Sequence, residues 1–299
     1  MGTLEDRVIV VTGAGRGIGR EHALLLASEG AKVVVNDLGG SADGKGSEAG
    51  PAVAVVEEIK AAGGDAIVST DDVASAQGAD NLIRSAIAAY GKLDGLVNNA
   101  SILRDGMVFN VDDEQWESVL HVGLSGTFYP GRAAARYWRE LSKAGKPVAG
   151  SIVNTTSESG LFGNMGQSNY AAAKAGVAAL TEVWARELKR YGVRVNAIAP
   201  RAATRLTAQV GAAESTDPNA PMHPGNCSPW VAYLLSDSCA ISGEVFVVYG
   251  GVVHRVAPWT LDDSWKLRKE TRWAPKELAD AVFETGIPSK AGRNTGLIR

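Results

Sequence analysis

The alternation of short apolar runs with longer alanine- and leucine-rich segments constrains the fold of this chain more than any other feature. Seven β-branched runs of strand length recur, at residues 8–11, 33–35, 67–69, 93–97, 151–155, 193–198 and 245–248. Between them, apolar residues follow helical spacing, as at Val53, Val56 and Ile59. Wholly apolar strands are typical of parallel sheets covered on both faces, and helical connections join them by right-handed crossovers. We therefore predict an α/β fold, a doubly wound, seven-stranded parallel sheet with helices on both faces.

The turn after the first apolar run is rich in glycine. It reads Thr-Gly-Ala-Gly-Arg-Gly-Ile-Gly over residues 12–19, and a helical run over 20–28 follows. Glycines let the backbone turn sharply and approach a pyrophosphate, whose charge the helix N-terminus stabilises. This order of strand, turn and helix predicts a Rossmann fold. The predicted cofactor-binding residues in the turn are Gly13, Gly15, Arg16, Gly17, Ile18 and Gly19.

An acidic residue ends the second apolar run, about 20 positions beyond the glycine-rich turn. This residue, Asp37, can accept hydrogen bonds from both adenosine ribose hydroxyls and would repel a 2′-phosphate, so NAD is favoured over NADP. A second interpretation is that Asp37 only ends the strand or solvates the following loop. Arg16 and Lys45 also offer positive charge to a 2′-phosphate, which leaves dual specificity open.

Ser157, Tyr170 and Lys174 are the candidate catalytic residues. Lys174 follows Tyr170 by four residues on a predicted helix over 170–188, so the two side chains share one helix face. A nearby cation favours the phenolate, and a tyrosine with an ordinary pKa of about 10 is a poor base at neutral pH. The pair alone occurs often by chance. Its combination with Ser157 at the fifth strand and with the glycine-rich turn is far more specific.

Further motifs, Asn-Asn-Ala-Ser at 98–101 and Asn-Ala-Ile-Ala-Pro at 196–200, complete a resemblance to the short-chain dehydrogenase/reductase family over about residues 5–251. The resemblance implies that Tyr170 exchanges a proton with the substrate oxygen and that Ser157 hydrogen-bonds the same oxygen. It also implies that Lys174 binds the nicotinamide ribose and lowers the pKa of Tyr170. The other cofactor contacts that it implies are Asp72 and Val73 beside the adenine, Asn98, Ala100, Pro200, and Thr204 at the carboxamide.

Three positions depart from the family pattern. Ser101 and Arg201 each replace a usual glycine, and Gly123 stands where many members carry an asparagine that supports a water-mediated proton relay. The asparagine side chain therefore cannot be carried over. We expect the backbone carbonyl of Gly123 to hold the relay water, and we expect glycine to permit a local distortion of the helix.

A closer likeness rests on Asn-Asp-Leu-Gly-Gly at 36–40, Ile-Leu-Arg-Asp at 102–105 and the segment 163–170. These resemble the dehydrogenase portion of peroxisomal multifunctional β-oxidation enzymes and their single-domain bacterial relatives. The likeness implies NAD-dependent oxidation of a 3-hydroxyacyl-CoA or a steroid-type alcohol. One alternative is a 3-oxoacyl-carrier-protein reductase, although such enzymes usually prefer NADP. Another is a dinucleotide-binding protein without turnover, against which the intact Ser157, Tyr170 and Lys174 argue.

Composition narrows the classes of partner. A formal net charge of -3 over 299 residues disfavours nucleic acid, and no apolar run approaches the roughly 18 residues of a membrane helix. The first apolar run begins too early for a secretion signal to precede it, so we expect a cytoplasmic protein. The two cysteines and four histidines lack metal-ligand spacing, and no metal site is predicted. We expect a homo-oligomer, a dimer or a tetramer, that acts on a small molecule.

Several segments keep two interpretations. Residues 204–229 contain four prolines and are either a substrate lid or an ordinary surface excursion. Leu161, Phe162 and Met165 either line an apolar substrate pocket or pack in the ordinary way. Arg104, Arg201 and Arg205 either meet CoA phosphates or are solvated charges. We interpret residues 1–299 as one Rossmann domain with a core over 5–251. Its C-terminal extension, 252–299, should pack on the core or on a neighbouring subunit, because it is rich in aromatic residues: Trp259, Trp265, Trp273 and Phe283.

Overall fold

The computed structural model describes residues 2–41, 43, 46, 49–204, 217, 219–257, 261 and 265–286. Within it the chain divides into two compact units, Met1–Arg255 and Val256–Arg299. Several predictions lie outside the described residues, namely those for Lys45, Arg205 and Trp259 and most of the lid candidate, at 205–216 and 218.

Eight strands in the first unit form one sheet in the order β3-β2-β1-β4-β5-β6-β7-β8. The strands are β1 Val8–Thr12, β2 Lys32–Asn36, β3 Asp65–Ser69, β4 Gly95–Asn98, β5 Gly150–Thr155, β6 Val193–Pro200, β7 Val245–Tyr249 and β8 Val252–Arg255. The first seven pair in parallel, which confirms the predicted doubly wound α/β sheet.

The eighth strand corrects the predicted count of seven. β8 pairs with β7 in antiparallel register, Tyr249 opposite Val252, after a turn at Gly250 with a φ of 48°. A positive φ is easy for glycine, and it lets the chain reverse in two residues. The prediction missed β8 because the strand is short and ends in exposed, polar His254 and Arg255, so it has no long apolar run.

The helices of the first unit cover both faces of the sheet. They are α1 Gly17–Ser28, α2 Gly50–Ala61, α3 Ala76–Tyr90, α4 Asp113–Leu120, α5 Gly126–Lys143, α6 Glu158–Phe162, α7 Ser168–Leu188 and α8 Ser228–Leu235. Alternate residues of β1 show the two layers. Ile9 and Val11 belong to the core cluster with α1, α2 and α8, whereas Val8 and Val10 belong to the cluster with α3, α5 and α7. Burial of each such side chain contributes about 1.5–3 kcal/mol to the free energy of unfolding, and this burial stabilises the sheet that carries the site.

The second unit contains one described helix, α9 Pro275–Thr285. The Nζ atom of Lys269 lies 2.6 Å from a carboxylate oxygen of Glu277 in the first turn of α9, and Trp265 donates a hydrogen bond to the carbonyl of Gly286. Phe283 is 90% exposed. The packing partner expected for this extension stays a prediction.

The sheet order places the change of winding direction between β1 and β4. The chain moves outward from β1 to β2 and β3 on one side, and from β4 to β5 and beyond on the other. The connections that leave β1 and β4 therefore diverge to opposite faces, and a crevice opens at the carboxyl ends of these strands. In the part of the chain that the structure describes, no helix combines the length and hydropathy needed to cross a bilayer.

Candidate active site

A cleft lies at the carboxyl ends of β1 and β4, where the sheet topology predicts a ligand site. Nine of the predicted cofactor-binding residues line it: Gly13, Arg16, Gly17, Ile18, Asp37, Asp72, Val73, Ala100 and Thr204. Further lining residues went unpredicted, and they are Asn36, Leu38, Gly40, Ser41, Asp71, Asn99, Ser101, Ile102 and Val122. Most of them neighbour predicted residues in the sequence, because one strand end or turn carries the whole segment into the cleft.

Two glycines at the glycine-rich turn, Gly13 and Gly19, have no room for a side chain. Gly13 has a φ of 62°, and a Cβ there would lie 2.8 Å from the Cα of Ala100. A Cβ on Gly19 would lie 2.1 Å from the carbonyl oxygen of Gly13, so Gly19 serves the close packing of α1 against the turn. The glycines therefore let the backbone of the turn pack closely at the start of α1, which fits the pyrophosphate of a dinucleotide.

Two adjacent asparagines at the end of β4 have different roles. Asn98 donates to the side-chain oxygen of Asn154 at 2.9 Å, so its side chain joins β4 to β5 within the sheet and does not line the cleft. Asn99 donates to the carbonyls of Thr12 and Gly13, each at 3.1 Å, and so fixes the glycine-rich turn. Sequence reasoning selected Asn98 for the cofactor and missed the supporting role of Asn99, because strand alternation alone does not show which amide turns outward.

Asp37 lies at the rim of the cleft in the predicted place. Its two carboxylate oxygens accept hydrogen bonds from the backbone N–H groups of Gly15, at 2.8 Å, and Gly39, at 2.7 Å. Each oxygen keeps a further lone pair for a ribose hydroxyl. The predicted cation Arg16 donates to the carbonyl of Gly40 at 3.2 Å, on the loop that follows Asp37. The carboxylate is thus the group held rigidly at this end of the cleft.

Ser157 and Tyr170 come together from two neighbouring helices. Ser157 is the N-cap of α6, and its Oγ accepts a hydrogen bond from the N–H of Ser159 at 3.2 Å. Tyr170 lies in the first turn of α7 and hydrogen-bonds the Ser157 side chain. Lys174, one turn further on, has its Nζ 5.6 Å from the centre of the Tyr170 ring and donates to the carbonyl of Thr155 at 2.7 Å. The structure therefore brings the three predicted catalytic residues into one cluster.

The electrostatics of this cluster differ from the expectation. Tyr170 is half-buried, and the protein around its hydroxyl raises the pKa of Tyr170 to about 12. The hydrogen bond from Ser157 acts in the opposite direction and lowers this pKa. The charge of Asp105 adds to the rise. Burial also lowers the pKa of Lys174 to about 8. The expected lowering of the Tyr170 pKa by Lys174 is not found in this structure, because desolvation disfavours the charged form of both groups.

A polar network that sequence reasoning missed joins the segment before α4 to the start of α7. The Gln167 amide donates to Asp105 at 2.9 Å and accepts from the Ser159 hydroxyl at 2.6 Å. Asn169 donates to the carbonyl of Arg104 at 2.9 Å. The likeness to multifunctional enzymes had singled out both segments, but their contact joins residues about 60 positions apart and has no local signal.

The candidate phosphate-binding arginines are paired within the protein. The Arg104 guanidinium lies 2.8 Å from Glu114 and donates to the carbonyl of Asp43 at 3.0 Å. Arg201 forms an ion pair with Glu158. The structure thus favours intramolecular pairing over solvated charge for both.

Gly123 lies at a distortion of the helix, as expected. Residues His121–Ser125 form a π-helical turn between α4 and α5, and the carbonyl of Gly123 accepts a hydrogen bond from Thr127 at 3.1 Å. A Cβ at Gly123 would lie 3.6 Å from the Oγ of Ser101, a buried hydroxyl that has no hydrogen-bond partner among the described residues. The distortion is confirmed, and the relay water stays a prediction.

Exposed apolar side chains flank the candidate catalytic residues Ser157 and Tyr170. Phe162 and Met165, between Ser157 and Tyr170, are 38% and 87% exposed, so ordinary packing does not account for Met165. Residues 107–109 add an exposed apolar stretch that was not predicted. The two segments are joined by the N–H of Gly106, which donates to the carbonyl of Gly166 at 2.8 Å.

Comparison with known proteins agrees with this geometry. The family model described as short chain dehydrogenase matches residues 7–215. Hydroxyacyl-CoA dehydrogenase ChsB1 of Mycobacterium tuberculosis is 45% identical over 309 residues, covering 99% of this chain and 94% of that protein. The peroxisomal hydratase-dehydrogenase-epimerase of Neurospora crassa is 40% identical over 272 residues, covering 91% of this chain and 29% of that protein.

A solved structure agrees as well. The crystal structure of a short chain dehydrogenase from Mycobacterium avium matches with a TM-score of 0.87 and 47% identity, covering 95% of each chain. The likeness to the dehydrogenase portion of peroxisomal multifunctional enzymes is confirmed by these relatives. The chain therefore belongs to the short-chain dehydrogenase family and is an oxidoreductase.

Proposed function

We propose that this protein is an NAD-dependent dehydrogenase that oxidises the hydroxyl of a 3-hydroxyacyl-CoA or steroid-type substrate to a ketone. The observation that carries the proposal is the hydrogen bond between Ser157 and Tyr170, with Lys174 one helical turn away. A relative that covers nearly the whole chain is named as a hydroxyacyl-CoA dehydrogenase, which supports the substrate class.

The choice of NAD rests on Asp37. Its carboxylate is fixed by two backbone N–H groups, from Gly15 and Gly39, so it cannot turn away from an incoming ribose without losing both bonds. Charge repulsion would then disfavour a 2′-phosphate in the same place. The predicted cation Arg16 already donates to the carbonyl of Gly40 and offers only partial compensation.

The chemistry assigns separate tasks to the three catalytic side chains. When bound, the nicotinamide dinucleotide supplies the acceptor for the hydride. Tyr170 takes the proton of the substrate hydroxyl, and Ser157 hydrogen-bonds the same oxygen and holds it in place. A pKa of about 8 leaves Lys174 mostly protonated at neutral pH, so its ammonium favours the phenolate form of Tyr170 that proton abstraction requires.

The apolar rim formed by Phe162, Met165 and residues 107–109 supports an extended substrate. These side chains are exposed in this unit and lie on two segments that are hydrogen-bonded to each other next to Tyr170. An acyl chain or a steroid skeleton would cover them, and each buried CH2 group contributes about 0.8 kcal/mol, or about fourfold in affinity. A short polyol would gain none of this contribution.

The test is a substrate panel assayed with NAD and NADP. We expect NAD-dependent oxidation of 3-hydroxyacyl-CoA thioesters or steroid alcohols, with kcat/KM far above that for short polyols, and turnover by Tyr170→Phe that is slower by about 10²- to 10⁴-fold. Preference for polyols would overturn the substrate class alone. Efficient NADPH-dependent reduction of 3-oxoacyl-carrier-protein would favour the reductase alternative, and dinucleotide binding without turnover of any alcohol or ketone would favour a non-catalytic role.

A further inference from the structure

The residue that follows Ser157 forms a bidentate ion pair with the end of β6. The Nε and Nη2 atoms of Arg201 donate to the two carboxylate oxygens of Glu158 at 2.6 and 2.7 Å. The side chains are only 15% and 11% exposed. A pair of this geometry is stronger and more directional than a surface salt bridge, because both groups share two charge-assisted hydrogen bonds away from most of the solvent.

The arginine of this pair is held by the sheet from a second direction. Its backbone N–H donates to the carbonyl of Val248 at 2.9 Å, and its guanidinium carbon lies 4.4 Å from the ring centre of Tyr249. Both partners belong to the end of β7. Glu158 is therefore attached to a point that two adjacent parallel strands keep in place.

The helix that carries Ser157 needs such an attachment. α6 has only five residues, and a helix of that length is not stable by itself in water. Other anchors lie on the α7 side, where Ser159 donates to Gln167 and Gly160 packs against the backbone at Lys174. The N–H of Thr156, just before the N-cap, donates to the carbonyl of Ile198 at 2.8 Å, so β6 holds the backbone ahead of Ser157. The pair with Arg201 adds the side-chain link from Glu158, just after Ser157, to the ends of β6 and β7.

We propose that Glu158 and Arg201 are positioning residues, whose ion pair fixes the Ser157 hydroxyl at the distance and angle that Tyr170 and the substrate oxygen require. The expected slowing of hydride transfer rests on the proposed function. The effect on the position of the Ser157 hydroxyl does not, because it concerns the protein alone. The proposal assigns Arg201 to the scaffold and not to a CoA phosphate, because the guanidinium already shares two hydrogen bonds with a carboxylate in a largely buried place.

The expected size follows from how sharply such chemistry depends on position. A displacement of about 1 Å in a reacting group can slow a reaction by about a hundredfold. Breaking the pair frees only one of several anchors of α6, so we expect hydride transfer to slow by about tenfold or more. The glycine-rich turn and Asp37 are untouched, so the Kd for NAD should change by no more than about twofold.

The experiment compares Glu158→Gln, Arg201→Gln and the double variant with a matched control, Glu244→Gln. The control removes another glutamate–arginine pair, in which Arg255 lies 3.0 Å from Glu244 and both side chains are more exposed. Single-turnover NADH formation with a 3-hydroxyacyl-CoA, the Kd for NAD and the thermal unfolding midpoint are measured for each. Glu158→Asp, which keeps the charge, serves as the conservative variant and guards against misfolding of the others.

The supporting result is slow hydride transfer in both single variants with near-normal NAD binding, and a double variant no slower than the slower single. Glu158→Asp should recover part of the rate, and the control should match the wild type. A lower unfolding midpoint with an unchanged single-turnover rate would show a merely structural pair and overturn the proposal. So would a crystal structure of Glu158→Gln with the Ser157 and Tyr170 hydroxyls unmoved, a result that does not depend on the substrate. A wild type inactive on all alcohols would instead contradict the proposed function.

Discussion

Gly160 offers a test of how tightly the catalytic cluster depends on packing between α6 and α7. A Cβ at this position would lie 2.5 Å from the backbone nitrogen of Ala175 and 2.6 Å from the carbonyl carbon of Lys174. Ordinary contact begins at 3.4 Å, so in Gly160→Ala the two helices must separate by about 0.9 Å. Backbone atoms cannot turn aside as a side chain does, so the strain falls on the helix positions.

This separation has two measurable consequences. Overpacking of this kind typically costs about 1–3 kcal/mol of the free energy of unfolding. Because α6 carries Ser157 and α7 carries Tyr170 and Lys174, a shift near 1 Å should also lower kcat by about 10- to 100-fold. The Kd for NAD should change much less, since the glycine-rich turn and Asp37 lie on other segments of the chain and are untouched.

The assay combines urea unfolding with single-turnover oxidation of a 3-hydroxyacyl-CoA. Gly50→Ala is the control, because Gly50 is exposed at the start of α2 and a Cβ there would meet nothing within 4 Å. That variant should keep the wild-type rate and should not lose stability. A Gly160→Ala protein with wild-type stability and kcat would refute the inference that close α6–α7 packing sets the geometry of the catalytic cluster.

Four further predictions follow from the same structure. Asp37→Ser should narrow the preference for NAD by removing the repulsion of a 2′-phosphate, and equal wild-type kcat/KM values with NAD and NADP would contradict the assignment. Tyr170→Phe should slow single-turnover hydride transfer by about 10²- to 10⁴-fold while the Kd for NAD stays near the wild-type value; an unchanged rate would refute the role of the phenol. The pKa of Lys174 is lowered to about 8 by burial, so the folded state binds fewer protons than the unfolded state between about pH 8 and the ordinary lysine pKa near 10.4. From pH 7 to pH 9.5, the free energy of unfolding of the wild type, measured in urea, should therefore rise relative to that of Lys174→Met. The same change with pH in both proteins would show that the lysine is not desolvated. In a series of 3-hydroxyacyl-CoA chain lengths, Met165→Ser and Phe109→Ser should flatten the rise of kcat/KM with length, whereas an unchanged slope would remove the apolar rim from substrate binding.

Local patterns were sufficient to predict most of the sheet and to select three candidate catalytic residues that the structure brings together. Apolar runs show seven strands because burial on both faces of a parallel sheet leaves no polar alternation. Tyr170 and Lys174 could be paired in advance because a separation of four residues puts two side chains on one helix face. β8 was missed for the corresponding reason: an exposed edge strand that ends in polar residues has no such pattern.

The support of the site could not be predicted in this way. Asn99 reaches the glycine-rich turn across 86 positions of sequence, Gln167 reaches Asp105 across 62, and Glu158 reaches Arg201 across 43. Contacts of this kind depend on which strand ends and helix termini the fold brings together. The residue spacing within a single helix or strand does not predict them.

The sequence by itself determined the order of strands and helices, the glycine-rich turn, the acidic residue at the end of β2 and the choice of Ser157, Tyr170 and Lys174 as candidate catalytic residues, because each depends on residue type and short-range spacing. Only the tertiary structure decided that Asn98 faces its neighbouring strand, that Arg104 and Arg201 are paired, and that burial raises the pKa of Tyr170 and lowers that of Lys174. The physical reason is that desolvation and ion pairing depend on everything that surrounds a group in space, and most of those surroundings come from distant parts of the chain.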